Sequence, residues 1–302
     1  MLFRSRWFDW SCHPGHPYGR TTLGTEASIA QLTNAVAAAT WRREVVTPNL
    51  VIGLAGDIDD ARAERLIARL TERLPTTAAP PLPVLPASPR GASNGRKLVL
   101  VDKPDRTQAQ LRLGHLACRF GDPDTLPLVV AEAAFGGMFS SRLMQEIRVK
   151  RGWSYGAGCA IRRSRGPHWL EIWMATAIGA AADAVALTLD LYGDLAARGP
   201  TPEEVEFARG YLIGAMPFHT ATARMRMQLA VRDATYDLPL GFTAELPKRL
   251  GSVDADEVRA ACARQLRPEA VVTVAVTTAA ATRTAFERAG AGPIQVVAHD
   301  AY

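Results

Sequence analysis

The six histidines are the residues that could bind a catalytic metal, and their spacing argues against it. An HxxEH or HExxH motif on a helix places two imidazoles on one face, with a glutamate beside them. Neither motif occurs in the sequence. The closest pair, His13 and His16, is interrupted by Pro14 and has no glutamate between its members, so it cannot place two imidazoles on one helical face. We therefore expect no metal and no cofactor in this chain.

The cysteines offer no second metal site. They are far apart in the sequence, and none forms a CxxC pair, which argues against a zinc ribbon or a thioredoxin-like motif. A free cysteine is one of the most frequently buried residue types. We expect four buried free thiols at Cys12, Cys118, Cys159 and Cys262.

Three stretches in a fixed order are the most distinctive feature of the sequence. The first begins with HPYGR at 16–20 and continues to Gly56-Asp57. The second contains GGMFSSRL at 136–143 and EIRVKRGWSY at 146–155, and the third runs from PEEV at 202–205 to the strand after Pro268. Together they resemble the M16 (pitrilysin/insulinase-type) peptidases over nearly the whole chain, and the middle stretch is the specific one.

The resemblance implies roles for particular residues. In that family a zinc-bearing domain faces a homologous inactive domain across a chamber, and the inactive domain contributes an arginine and a tyrosine to the substrate. Arg148 and Tyr155 match them here, which implies that the phenol donates to the oxyanion and that the arginine fork grips a substrate carbonyl or carboxylate. Gly136 and Gly137 are then sites of peptide approach or a bare turn, and Arg142 braces a helix start.

Outside this motif, Arg148 would be interpreted as a residue on a solvated helix face and Tyr155 as a strand core residue. Inside it, we expect Arg148, Tyr155, Gly136 and Gly137 to form the substrate-binding site.

The family's zinc motif has no counterpart in the sequence. The region from Pro14 to Leu74 resembles only the second half of the family's first domain, so either a longer protein is the real unit or a partner chain supplies the missing sheet edge. The resemblance implies an accessory subunit in a heterodimer, with zinc in an HxxEH-bearing M16 partner and a peptide as substrate. The alternative is a non-enzymatic scaffold subunit that keeps the fold.

The elements that must position these residues follow from apolar periodicity and from turn formers. Alternation predicts strands, and Gly136-Gly137 separates two predicted helices at 125–135 and 140–150. The predicted strands lie at 49–55, 97–101, 109–116, 155–162 and 169–177. The last two form a predicted hairpin with its turn at Gly166-Pro167.

An internal repeat completes the predicted organisation. Thr47–Ile52 has a counterpart in Arg267–Val272, and each lies between two apolar helices, which suggests two copies of one unit. We expect an α+β fold made of two homologous units of mixed sheet packed with helices, the first one partial. The predicted boundaries are 1–76 for the partial unit, 77–96 for a proline-rich linker, 97–290 for the inactive-type domain and 291–302 for a tail.

Charge and hydropathy limit the kinds of partner. The net charge is +5, and arginine concentrates at 142–151 and 162–165. A nucleic-acid binder could show this pattern, but no recognition motif accompanies it, and a cationic cavity for acidic peptides fits as well. No apolar run reaches the roughly 18–20 residues that span a membrane, and the start does not resemble a secretory signal. We expect a cytoplasmic chain with neither nucleic acid nor membrane as partner.

Overall fold

The computed structural model describes residues 2–81, 95–162, 164–166, 169–239 and 241–301, with side chains from residue 6 onward. Most of the predicted linker at 77–96 therefore lies outside the described residues. The chain divides into two compact units. One comprises Met1–Thr22, Leu85–Ile213 and Arg249–Tyr302, and the other comprises Leu23–Val84 and Gly214–Lys248. The predicted domain boundaries stay a prediction.

A mixed six-stranded sheet forms the centre of the first unit. Its strands are β1 (Lys97–Asp102), β2 (Gln108–Leu116), β3 (Ser154–Ile161), β4 (Trp169–Ala177), β5 (Val272–Thr277) and β6 (Ile294–Ala298). Their order across the sheet is β3-β4-β2-β5-β1-β6. β1 pairs in parallel with β5 and β6, whereas β2 pairs antiparallel with β4 and β5. β3 pairs antiparallel with β4 and occupies one edge, as expected for the predicted hairpin.

The helices flank the sheet or belong to the second unit. They are α1 (Leu2–Cys12), α2 (Glu26–Ala30), α3 (Asn34–Glu44), α4 (Asp60–Thr71), α5 (Thr125–Glu132), α6 (Ala181–Arg198), α7 (Pro202–Thr220), α8 (Ala223–Thr235), α9 (Phe242–Gly251), α10 (Ala255–Gln265) and α11 (Ala279–Arg288). The described helices include none with the length and apolar content needed to cross a bilayer.

Both faces of the sheet bury apolar side chains. Successive strand residues point to opposite faces, so Leu111 and Leu113 of β2 enter the larger core together with Tyr192 of α6. On the other face, Phe8 of α1 packs edge to face against Trp169, with ring centroids 5.8 Å apart. The predicted mixed sheet packed with helices is confirmed.

A buried histidine ties three parts of this core together. His115 of β2 has Nδ1 2.8 Å from the carbonyl oxygen of Leu116, so this nitrogen carries the proton. Its Nε2 then accepts from the backbone N–H of Arg267 at 3.0 Å and from the Tyr192 hydroxyl at 2.5 Å. Burial lowers the pKa of His115 to about 4, so the ring is neutral near neutral pH.

All four cysteines are buried and free, as expected. Burial raises the pKa of Cys118 to about 11 and that of Cys262 to about 12. Because the thiolate is the reactive form, these thiols have little nucleophilic or metal-binding character.

The predicted strand at 49–55 is wrong. Thr47–Asn49 forms a 3-10 turn, and residues 50–55 lack strand pairing. A strand needs a neighbour for its backbone N–H and C=O groups, and among the residues described here none pairs with this segment. Val51 and Ile52 are correspondingly exposed.

The order of elements around that segment nevertheless recurs. In the second unit, α3, a 3-10 turn, residues 50–55 without regular secondary structure and α4 follow one another. In the first unit, α10, the 3-10 turn Pro268–Ala270, β5 and α11 follow in the same order. The difference is that β5 lies between β1 and β2, which satisfy both of its edges. The homology of the two units stays a prediction.

Candidate functional site

Two helical stretches, each ending in a π turn, position residues of the candidate site. α5 continues into the π-helical residues Ala133–Gly137, and a second stretch ends in the π-helical residues Met144–Val149. The two predicted helices are therefore present, with their last turns widened. Single π turns occur frequently at functional sites.

Gly136 lets the first π turn approach the sheet. A Cβ atom at this position would lie 2.5 Å from the backbone nitrogen of Cys159 and 2.9 Å from Cδ1 of Leu143. Real Cβ atoms do not come so close, so direct packing on β3 requires glycine here. Gly137 is exposed, and its Cβ would meet nothing closer than 3.4 Å. Gly136 thus has a packing reason, and peptide approach at either glycine stays a prediction.

Tyr155 projects from the edge strand at an irregularity. The pairing of β3 with β4 shifts register between Ser154 and Ala157. The Ser154 hydroxyl stabilises this bulge by donating to the Gly156 carbonyl at 2.7 Å and accepting from the Ala175 N–H at 3.3 Å. A bulge changes the direction of a side chain, and that of Tyr155 is 88% exposed. The interpretation of Tyr155 as a core residue is therefore wrong.

Arg148 extends from the second π turn over the Tyr155 ring. Its Cζ atom lies 4.6 Å from the centroid of Tyr155 and 4.9 Å from that of Phe139. The chain reverses at Gly152, which has a φ of +63° and donates its N–H to the Arg148 carbonyl at 3.0 Å. This reversal brings the helix and β3 together, so the two predicted residues are in contact.

Phe139 also contacts Arg148, and the sequence did not predict this contact. It lies within the GGMFSSRL stretch and is 63% exposed. An aromatic residue among small and polar neighbours in that stretch was the available signal. We call Phe139, Arg148 and Tyr155 the aromatic–arginine cluster.

The charges beside the cluster leave it positive. Lys150 and Arg151 both contact the Glu146 carboxylate at 2.5 Å, and these hydrogen bonds lower the pKa of Glu146. In the part of the chain that the structure describes, no carboxylate pairs with Arg148. Three cations thus accompany a single carboxylate, which favours an anionic or strongly polar ligand.

Arg142 lies in a different network. Its guanidinium donates to both carboxylate oxygens of Glu204, at 2.7 and 2.5 Å, to Asp194 at 3.2 Å and to the Gly199 carbonyl at 3.2 Å. Glu204 also caps the start of α7 by accepting from the Thr201 N–H at 2.7 Å. Arg142 therefore braces the corner between α6 and α7.

The described residues gather no set of zinc ligands. His13 and His16 stack with ring centroids 5.2 Å apart, and Nδ1 of His16 accepts from the Tyr18 N–H at 3.0 Å. Within the described ranges, no three histidine, cysteine or acidic side chains gather as ligands. The expectation that the chain binds no zinc stays a prediction.

Comparison with known proteins identifies a family model and relatives that this sequence matches. A family model described as the peptidase M16 inactive domain matches residues 40–212. An uncharacterized zinc protease of Mycobacterium tuberculosis is 28% identical over 213 residues, which cover 70% of this chain and 48% of the relative. A non-peptidase homolog of Helicobacter pylori is 24% identical over 243 residues, covering 80% of this chain and 55% of the relative. The chain thus spans about half the length of the curated relatives it matches.

A solved structure of a peptidase M16 inactive domain has a similar fold. The crystal structure of a peptidase M16 inactive domain from Pseudomonas fluorescens has a TM-score of 0.82 and 24% sequence identity. The structural match covers 90% of this chain and 64% of the solved chain.

Proposed function

The chain belongs to the M16 peptidase family, and on that premise we propose that it is a non-zinc subunit of a two-chain metallopeptidase. In this proposal it closes a chamber against an HxxEH-bearing partner and contacts a peptide substrate through Arg148 and Tyr155. The partner holds the zinc, which would polarise the scissile peptide group. The match to the family's inactive domain and the lack of an HxxEH motif in the sequence support this role.

The exposed contact between Arg148 and Tyr155 is the observation that carries the proposal. A tyrosine that is 88% exposed on an edge strand contributes little to the core. Its hydroxyl forms no hydrogen bond with the residues described, so it is available as a donor. A preorganised donor placed at a developing oxyanion is worth roughly 10²–10³ in rate. We assign this donation to Tyr155.

Arg148 is suited to hold the substrate. The rings of Phe139 and Tyr155 both contact its guanidinium, and its N–H groups form no hydrogen bond with the residues described, which leaves them for a ligand. A planar fork matches a carboxylate in bidentate geometry and can also grip a carbonyl oxygen. Holding the peptide in register contributes to catalysis by orientation.

A non-enzymatic scaffold subunit is the second candidate. It is favoured by one relative, the H. pylori protein, which is described as a non-peptidase homolog. In this role the aromatic–arginine cluster would stabilise a contact with the partner and would take no part in hydrolysis.

Reconstitution tests the proposal and separates the two candidates. The chain, an HxxEH-bearing M16 protein from the same genome, and their mixture would each be assayed with a quenched fluorescent peptide. We expect hydrolysis by the mixture well above the sum of the separate rates. Equal hydrolysis by the mixture and by the partner alone would contradict the accessory role. Stimulation that survives in Arg148→Ala and Tyr155→Phe chains would leave the scaffold role.

A further inference from the structure

We propose that Phe139 is a positioning residue, whose ring, together with that of Tyr155, holds the Arg148 guanidinium in place. The inference rests on the proposed function, because only the proposed function supplies a ligand for the Arg148 guanidinium to bind. It extends that function by naming a residue that positions the substrate-contacting Arg148.

Burial does not explain Phe139. Phe135, four residues earlier, is fully buried and lies 5.9 Å from the Tyr192 ring, as a core phenylalanine does. Phe139 is 63% exposed, so most of the free energy that burial would supply is absent. The contact that its ring does make is with Arg148, at 4.9 Å from Cζ.

The two rings act on the same cation from different elements. Both centroids lie within the roughly 6 Å range of a cation–π interaction. Phe139 comes from the turn after the first π-helical segment, whereas Tyr155 comes from the edge strand. The described residues show no ring contact between the two, so the guanidinium is the group that both rings share.

The backbone that carries Phe139 is fixed. Its carbonyl accepts from Gln145 Nε2 at 3.4 Å, and the preceding Met138 is buried and accepts from the Ser141 N–H at 3.1 Å. Gly136 packs the same turn onto β3. The ring therefore comes from a fixed turn and can hold a flexible arginine in place.

Contacts with two aromatic rings hold Arg148. In the described part of the chain it forms no ion pair. The nearby Glu146 is occupied by Lys150 and Arg151. An arginine side chain has large rotamer entropy, and restricting it before the ligand arrives reduces what binding must overcome. Removing Phe139 should therefore weaken ligand binding and leave the chemical step unchanged.

Nuclear magnetic resonance tests the positioning directly. In protein labelled with 15N at the arginine side chains, the Arg148 Nε–H signal is assigned by its loss in Arg148→Lys. Ring currents from the two rings that the guanidinium lies over should shift this signal upfield. We expect Phe139→Leu to move it toward the position of a solvent-exposed arginine, Phe139→Tyr to restore it, and the melting temperature to change little.

The matched control is Phe207→Leu, which makes the same substitution at a phenylalanine of α7 that is 60% exposed. It should leave the Arg148 signal in place. An Arg148 signal unchanged by Phe139→Leu would overturn the inference.

The reconstituted enzyme supplies the second measurement. We expect Phe139→Leu to raise KM roughly two- to five-fold with kcat nearly unchanged, as the loss of one exposed cation–π contact predicts. Phe139→Tyr should restore KM. If Arg148→Lys raises KM but Phe139→Leu does not, the inference fails and the proposed function stands. If Arg148→Lys also has no effect, the proposed function fails, and the resonance shift still decides whether Phe139 holds Arg148.

Discussion

The guanidinium carbon of Arg148 lies 4.6 Å from the centroid of the Tyr155 ring, although one residue belongs to a π turn and the other to an edge strand. The reversal at Gly152 and the bulge closed by Ser154 bring them together. Because hydrogen bonds within the fold hold this reversal and this bulge, the fold itself brings the pair together. Such preorganisation is what a substrate-contact site requires.

Arg148→Lys should raise KM in the reconstituted enzyme and leave kcat within a few-fold of wild type. Lysine keeps the positive charge but lacks the planar fork and stacks less well on aromatic faces. Steady-state kinetics on a peptide substrate measures both constants. Val149→Ala, at an exposed neighbour on the same turn, is the matched control and should behave as wild type. An equal effect of the two substitutions would remove the special role of Arg148.

Gly136→Ala should destabilise the fold by about 1–3 kcal/mol, the usual cost of overpacking a tight site. The added methyl would meet the Cys159 backbone nitrogen at 2.5 Å. Gly137→Ala is the control, because its nearest neighbour would be 3.4 Å away, and we expect little loss there. Urea denaturation of the two variants gives both free energies of unfolding. Equal stability of the two would show that the π turn can move away from β3.

Stability should fall as the pH drops from about 6.5 to about 4. Burial lowers the pKa of His115 to about 4, and burial together with the nearby His16 lowers the pKa of His13 to about 4. In this interval the unfolded chain binds protons at both residues while the folded chain does not. Each histidine therefore reduces the free energy of unfolding by about 1.4 kcal/mol per pH unit, whereas above pH 6.5 this dependence disappears.

The pH dependence can be assigned with variants. Unfolding by urea at several pH values should show a shallower decline for His115→Gln than for wild type, even though that variant is less stable throughout. His219→Gln, at an exposed position on α7, should retain the wild-type slope. A slope unaffected by His115→Gln would mean that His115 binds its proton as readily in the folded protein as in the unfolded chain.

The purified chain should contain no stoichiometric zinc, because its sequence has no HxxEH motif and its described residues offer no ligand set. Metal analysis after mild chelation measures this directly. Retention of one zinc per chain would contradict the division of roles proposed for the two subunits.

Elements with a strong local pattern could be predicted from the sequence. The alternation at 109–116 corresponds to β2, and the hairpin at 155–177 corresponds to β3 and β4. The prediction of a strand at 49–55 was wrong because an apolar segment forms a strand only where neighbouring strands pair with its backbone N–H and C=O groups. Those neighbouring strands come from distant parts of a chain. Local pattern carries no information about them.

The site was predictable in part. The family motif pointed to Arg148 and Tyr155, but it gave no reason to expect that Phe139 covers the same guanidinium. That contact depends on the π turn, on the bulge at Ser154 and on Gly136 packing against Cys159. Each of these is a tertiary feature whose geometry cannot be obtained from residue spacing. The buried network of His115 and Tyr192 was missed for the same reason, since it joins residues far apart in sequence.

The kinetics of Tyr155→Phe in the reconstituted pair test the central claim most directly. Phenylalanine keeps the ring over Arg148, so assembly should persist and only the hydroxyl is lost. If that hydroxyl donates to the oxyanion, kcat and kcat/KM should fall together by roughly 10²–10³, with KM nearly unchanged. Wild-type kinetics from a folded, assembled Tyr155→Phe pair would contradict the account.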